Sequence, residues 1–278
     1  MFQSLLAQDN FLTEEISDNK ISASAKKIYT IGVVPQFEAR RLASIWMPLL
    51  KQLSIKTGHQ FELHGASSIA EFEKAFMMGK YDFAYMNPYH LILANQLQGY
   101  LPLVNDASKK LRGVLVVRKD SNINNASDLD GKIIAFPSPN ALGASLQMRQ
   151  ELHDLFKINF IPNYVKTHDS VYLNVLLGDA EAGGGVGKTL KRQLPQYQQA
   201  LKVIHKTAPV APHPIAVHPR VDKKVSELFK EKIIEMGKHN TTKSMLARIP
   251  IKQISAISLE AYKPLEKMHL DRFYIAPK

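Results

Sequence analysis

From Ile28 onward the chain alternates short apolar runs with amphipathic stretches at helical spacing, and this alternation confines it to an α/β architecture. Ile28–Val34 is apolar, closed by Pro35, and reads as a buried strand. Leu42, Ile45, Trp46, Leu49, Leu50 and Leu53 follow at three-and-four spacing, the stripe of a helix that should kink at Pro48. After a strand at Gln60–Leu63, Ser68 and Glu71 form a capping box for a helix carrying Ile69, Phe72 and Phe76, which Gly79 ends. Tyr81–Met86 is strand-like, Pro88 opens a helix, and Gly99 stops it.

The pattern continues with strands at Gly113–Val117 and Lys132–Phe136 around a turn at Asp128–Gly131, and a helix over Leu142–Phe156. A strand at Phe160–Val165, a helix at Asp169–Leu177, a glycine-rich segment at Ala182–Val186 and a strand at Leu201–Ile204 come next. The last sixty or so residues, from about Val221, read as mostly helical. Such alternation predicts largely parallel sheets, with ligands beyond the carboxyl ends of strands where helices begin.

Composition narrows the class. With 45% hydrophobic and 22% charged residues the chain is globular rather than disordered, and 278 residues suit one large domain or two smaller ones. No cysteine is present, which excludes disulfides, a thiolate nucleophile and cysteine-ligated metals. No apolar run reaches the ~18 residues of a membrane span. Residues 1–20 lack the basic and apolar regions of a complete signal peptide, although Leu5-Leu6-Ala7-Gln8 resembles the end of one.

The 36 lysines and arginines against 25 acids leave a charge of +11, which points to an anionic partner. The basic pairs Lys26-Lys27, Lys109-Lys110, Lys191-Arg192 and Lys223-Lys224 are scattered and have no interleaved aromatics. They read as a solvated surface, not a nucleic-acid stripe.

Residues 182–189, Ala-Gly-Gly-Gly-Val-Gly-Lys-Thr, fall one glycine short of a phosphate-cradling loop. A nucleotide hydrolase using 183–189 is the alternative this raises. Against it, Ala182 occupies the first glycine position, Asp179 and Glu181 stand where an apolar strand should lead in, and no later apolar run ends in a magnesium-binding aspartate. A glycine-rich strand near a cleft accounts for the segment better. Gly143-Ala144-Ser145 lacks the second glycine of a nucleophile elbow. His213 and His218 each precede a proline and read as turn chemistry rather than metal ligation. No metal site, cofactor or catalytic set emerges.

The stretch Phe136-Pro137-Ser138-Pro139-Asn140-Ala141-Leu142-Gly143-Ala144-Ser145 joins a strand to a helix, with Asn140 placed as the N-cap. The N–H groups that follow lack intrahelical partners and sit at the positive end of the helix dipole, ready for an anion. Gly143, Ala144 and Ser145 are small enough for a ligand to approach the backbone.

Four segments together resemble the phosphate/phosphonate-binding family of ABC-transporter substrate-binding proteins, a branch of the type II periplasmic-binding fold. They are Gly79–Tyr89; Gly113–Val117 with Arg118-Lys119-Asp120-Ser121; Asp128–Lys132 running into Phe136–Ser145; and Thr167–Ser170 followed by Gly178–Val186. Their order and spacing match over roughly residues 28–270. The resemblance implies two α/β lobes around a ligand cleft: 28–117 with 208–278 as the first, 118–207 as the second, two hinge crossings, and 1–27 as a poorly ordered leader. It implies a non-enzymatic protein, a periplasmic monomer that carries a small oxyanion (phosphate, phosphite, phosphonate or similar) to an ABC permease. A sensory module of the same fold, serving a membrane sensor, is the alternative within the family.

Carried over, the ligand contacts fall on Gln36 after the first strand, and on Tyr85, Asn87 and Tyr89 after the strand at Phe83. In the second lobe they fall on Ser138, Asn140, Leu142, Gly143, Ala144, Ser145 and His168. The family's usual Ser-Thr-Ser-Gly stands here as Asn140-Ala141-Leu142-Gly143, which removes hydroxyls but leaves the helix N–H donors.

Overall fold

A computed structural model describes residues 27–249 and 251–277. The expected leader, Lys27 excepted, and the Leu5–Gln8 segment lie outside the described residues.

The first part of the chain builds β1 (Ile28–Val33), α1 (Ala39–Thr57), β2 (Gln60–His64), α2 (Ile69–Met77), β3 (Phe83–Tyr85), α3 (Pro88–Gln98) and β4 (Leu101–Asp106). The middle part builds β5 (Gly113–Arg118), β6 (Ile133–Phe136), a π-helical turn (Leu142–Leu146) continuing as α4 (Gln147–Asp154), β7 (Ile161–Tyr164) and α5 (His168–Leu177). It closes with β8 (Ala182–Val186), the single turn α6 (Gly187–Leu190), α7 (Pro195–Ala200) and β9 (Leu201–Lys206). The chain then returns as β10 (Ile215–Val217), α8 (Lys223–Met236), α9 (Asn240–Arg248) and β11 (Ile254–Ala256), ending in short 3-10 turns.

Two sheets result, ordered β11-β4-β10-β3-β1-β2 and β7-β6-β8-β5-β9. Each is mixed rather than largely parallel. β1 runs parallel to β2 and β3, while β10 runs antiparallel to β3 and β4. In the second sheet β6 runs parallel to β7 and β8, while β5 runs antiparallel to β8 and β9. The chain enters and leaves the second sheet from one side, so its first strand opposes the others. β5, expected to end the first lobe, is a central strand of the second sheet. The crossings therefore lie at 107–112 and 207–214, the first of them earlier than expected.

The periodic stripe of α1 is buried as its spacing requires, and the helix runs unbroken through Pro48. The ~3 kcal/mol cost of an interior proline is offset by burial of Leu42, Ile45, Trp46, Leu49, Leu50 and Leu53, at ~1.5–3 kcal/mol for a fully buried large apolar side chain. Ser68 caps α2 by accepting from the Glu71 N–H, but the Glu71 carboxylate pairs with Lys74 instead of closing the box. The largest apolar core fills the first lobe and takes in Leu142 and Leu146 from the second, so the lobes are packed together behind the helix start.

Candidate functional site

Between the two sheets lies a cleft of about 930 Å³, lined by the loops that leave strand ends. Gln36 and Phe37 come from the turn after β1, and Tyr85 and Asn87 from the end of β3. Ala141 to Ala144 follow β6, Thr167 and His168 follow β7, and Gly187 to Arg192 follow β8. The two crossings supply Lys109, Lys110, Arg112 and His213.

The helix start after β6 faces this cleft with free donors. The Ser145 and Leu146 N–H groups both reach the Ala141 carbonyl, so the N–H groups of Leu142, Gly143 and Ala144 precede the first intrahelical bond. α5 also begins at the cleft, capped by Thr167, whose hydroxyl accepts from the Ser170 N–H. Its first residue, His168, has a buried Nδ1 with no partner among the described residues. Burial lowers the His168 pKa to about 4, against an opposing pull from Asp169, so the ring is neutral at pH 7.

Opposite, Gln36 Nε2 lies 2.9 Å from His213 Nε2, the geometry of an amide donating to a neutral imidazole. Burial, reinforced by His90, His168 and Lys109, lowers the His213 pKa to about 3. Its ring stacks on Tyr85 at 5.5 Å, and burial raises the Tyr85 hydroxyl pKa above its usual value. Phe37 closes the mouth: Arg41 of α1 sits over its ring at 4.3 Å and Arg192 of the second lobe at 5.3 Å, a contact across the cleft.

Nine lysines and arginines line the cleft against one carboxylate, Asp106. The basic residues expected to form a dispersed solvated surface are thus partly gathered here by the fold. Asp106 is raised by burial but more strongly lowered by bonds from Ser108 and Gln253, and stays charged. Lys188 is the most perturbed cation. Burial, with Lys109 and Arg192 nearby, lowers its pKa to about 7.

Of the residues expected to contact ligand, Gln36, Tyr85, Asn87, Leu142, Gly143, Ala144 and His168 line the cleft. Asn87 is nevertheless committed elsewhere: its Oδ1 caps α3 at the His90 N–H and its Nδ2 donates to the Asn140 carbonyl. Tyr89, Ser138, Asn140 and Ser145 are not in the lining. Tyr89 packs on Tyr274, and the Ser145 hydroxyl accepts from Arg149 Nε at 3.2 Å. Asn140 is not the N-cap; that position falls to Ala141, without a side-chain bond. The Asn140 amide instead donates to Glu73 at 3.1 Å and to the Ile275 carbonyl at 2.7 Å, and accepts from the Ile275 N–H at 3.0 Å. Long-range partners captured a side chain that local spacing assigned to its own helix.

The sequence reading missed His213 and the cationic lining. The available signal was position: Lys109-Lys110 and Lys191-Arg192 follow strand ends, where an α/β cleft forms.

The glycine segment is no phosphate cradle. Gly183, Gly184 and Gly185 are paired with Val116, Leu115 and Val114 in the middle of the sheet, so their backbone is engaged in the ladder. They are glycines because α5 and the helix start press on the strand: a β-carbon at Gly183 would strike Val171, and one at Gly184 the Ala144 carbonyl.

Residues 31–262 match the model of a family described as ABC transporter, phosphonate, periplasmic substrate-binding protein. The phosphate-import protein PhnD of Mycolicibacterium smegmatis is 24% identical over 187 residues, covering 60% of this chain and 58% of that protein. The chain thus spans little more than half of that relative. PhnD1 from Prochlorococcus marinus, solved in complex with methylphosphonate, is similar with a TM-score of 0.81 at 15% identity, over 90% of this chain and 100% of that one. A binding-protein component of an ABC phosphonate transporter from Pseudomonas aeruginosa gives 0.75 at 17%, over 91% and 90%. Both structural likenesses concern the fold.

Proposed function

Because the chain belongs to the phosphonate family of periplasmic substrate-binding proteins of ABC transporters, with the two-lobed type II binding-protein fold, we propose that it captures a small phosphorus oxyanion between its lobes for a membrane permease. The observation that carries this reading is the helix start at 142–144, whose free N–H groups open into a cleft with nine cations and one carboxylate. Backbone donors at a helix N-terminus suit a tetrahedral oxyanion without needing side-chain hydroxyls.

In this reading the N–H groups of Leu142, Gly143 and Ala144 hold the phosphorus oxygens from the second lobe. His168 approaches from the adjacent helix, and Gln36 and Tyr85 close from the first lobe. Closure about the crossings at 107–112 and 207–214 then presents a ligand-dependent surface to the permease. Among the described residues no helix is long and apolar enough to cross a membrane.

Thermal unfolding in the presence of phosphate, phosphite and methylphosphonate tests the proposal. A ligand at 100 times its Kd stabilises by about 2.7 kcal/mol, a readily measured rise in Tm. No shift with any of the three contradicts it.

A further inference from the structure

We propose that the cleft is built for an organophosphorus compound with a second anionic group, held apart from its phosphorus head by an organic spacer. This rests on the oxyanion reading above and names the ligand class of the same site. Size is the first argument. At about 930 Å³ the cleft stands at the upper end of the ~300–1,000 Å³ typical of sites for drug-sized ligands, far beyond one tetrahedral ion.

The distribution of charge is the second. Cationic residues leave the second sheet at β7 (Lys166), after β8 (Lys188) and at β9 (Lys206). Those outer strands are four strand spacings apart, about 19 Å at ~4.8 Å each. A single oxyanion at the helix start after β6 cannot reach across that width.

The third argument is the cluster around Lys188. This residue follows β8, the strand next to β6, and lines the same cleft as the oxyanion donors. Lys109, Arg192 and Lys252 are close enough to lower its pKa, with Asp106 the opposing charge. Among the described residues, Lys109 alone of the nine lining cations has a carboxylate within 4 Å, Asp106 at 3.6 Å. A concentration of like charge this poorly neutralised is unfavourable in the empty protein and becomes favourable when a second anion arrives. The lining also includes the apolar Val34, Pro35, Leu111 and Ile251, which could cover a carbon spacer.

Titration calorimetry at fixed ionic strength, comparing propylphosphonate with 3-phosphonopropionate, tests this, because the two share a head and nearly a length but differ in tail charge. A charge-assisted hydrogen bond leads us to expect at least about tenfold tighter binding of the carboxylate-bearing ligand. That preference should fall below about threefold in Lys188→Met, and also fall in the more peripheral Lys252→Met, which guards against a folding defect in the first variant. Equal affinities in the unaltered protein, or a preference that survives both substitutions, would overturn the inference while leaving oxyanion capture standing. If neither compound binds, this inference fails, and the thermal unfolding series with phosphate, phosphite and methylphosphonate decides whether oxyanion capture stands.

Discussion

Gly184 in the centre of β8 lies directly under the carbonyl of Ala144, with no room for a β-carbon between strand and helix start. The contact sets the height of the three free N–H groups above the sheet. It also explains why a segment resembling a nucleotide-binding loop carries its glycines: close approach by helices, not a wrapped phosphate.

Gly184→Ala must therefore displace the helix start or the Phe136 ring. Overpacking of this kind costs about 1–3 kcal/mol. Urea unfolding should show that loss, and calorimetry should show weakened methylphosphonate binding in the fraction that folds. Unchanged affinity would mean the helix start does not position the ligand.

Asn140→Ala separates two roles. Its amide joins Glu73 of the first lobe to both main-chain groups of Ile275, away from the cleft. Removing it takes one hydrogen bond from the buried Glu73 carboxylate, which keeps His90, and unpairs both main-chain groups of Ile275, a loss of about 1–3 kcal/mol. Stability should fall while oxyanion affinity changes less than about threefold. The reverse pattern would make Asn140 a ligand residue, as the family resemblance implied.

Lys188 should make binding pH-dependent. Its pKa of about 7 in the empty protein reflects burial and the surrounding Lys109, Arg192 and Lys252, partly opposed by Asp106. An anion beside it favours the charged form and raises that pKa. Above pH 7, binding must therefore take up a proton, and the contribution of Lys188 to affinity falls as pH rises. Calorimetry at pH 8 in buffers of different ionisation enthalpy should detect more proton uptake by the unaltered protein than by Lys188→Met.

Acid should destabilise the fold before carboxylates titrate. His168 and His213 have pKa values lowered to about 4 and about 3, against 6.5 for a free side chain. Between pH 6.5 and 5 the unfolded chain binds protons that these rings refuse in the folded state, so stability drops as pH drops. Urea midpoints across that window should fall, with a shallower slope in the double variant His168→Gln, His213→Gln.

The sequence made the framework legible where periodicity was strong. α1, α3, β1 and the strand–loop–helix at 136–154 lie close to where their apolar spacing and glycine stops place them. It hid β4, whose run is broken by Pro102, and the three-residue strands β10 and β11, too short to show alternation. Strand direction was also invisible, since a period of two looks the same in either sense. At the site, the helix start and His168 could be found because their donors are local. Lys188 and Asn140 could not, because what they do depends on residues that only the fold brings beside them.

A crystal structure with methylphosphonate bound measures the central claim most directly. We expect phosphonate oxygens within ~2.7–3.2 Å of the Leu142, Gly143 and Ala144 nitrogens, with the lobes closed over the ligand. A phosphonate bound elsewhere in the cleft, leaving those three N–H groups to water, would contradict the account.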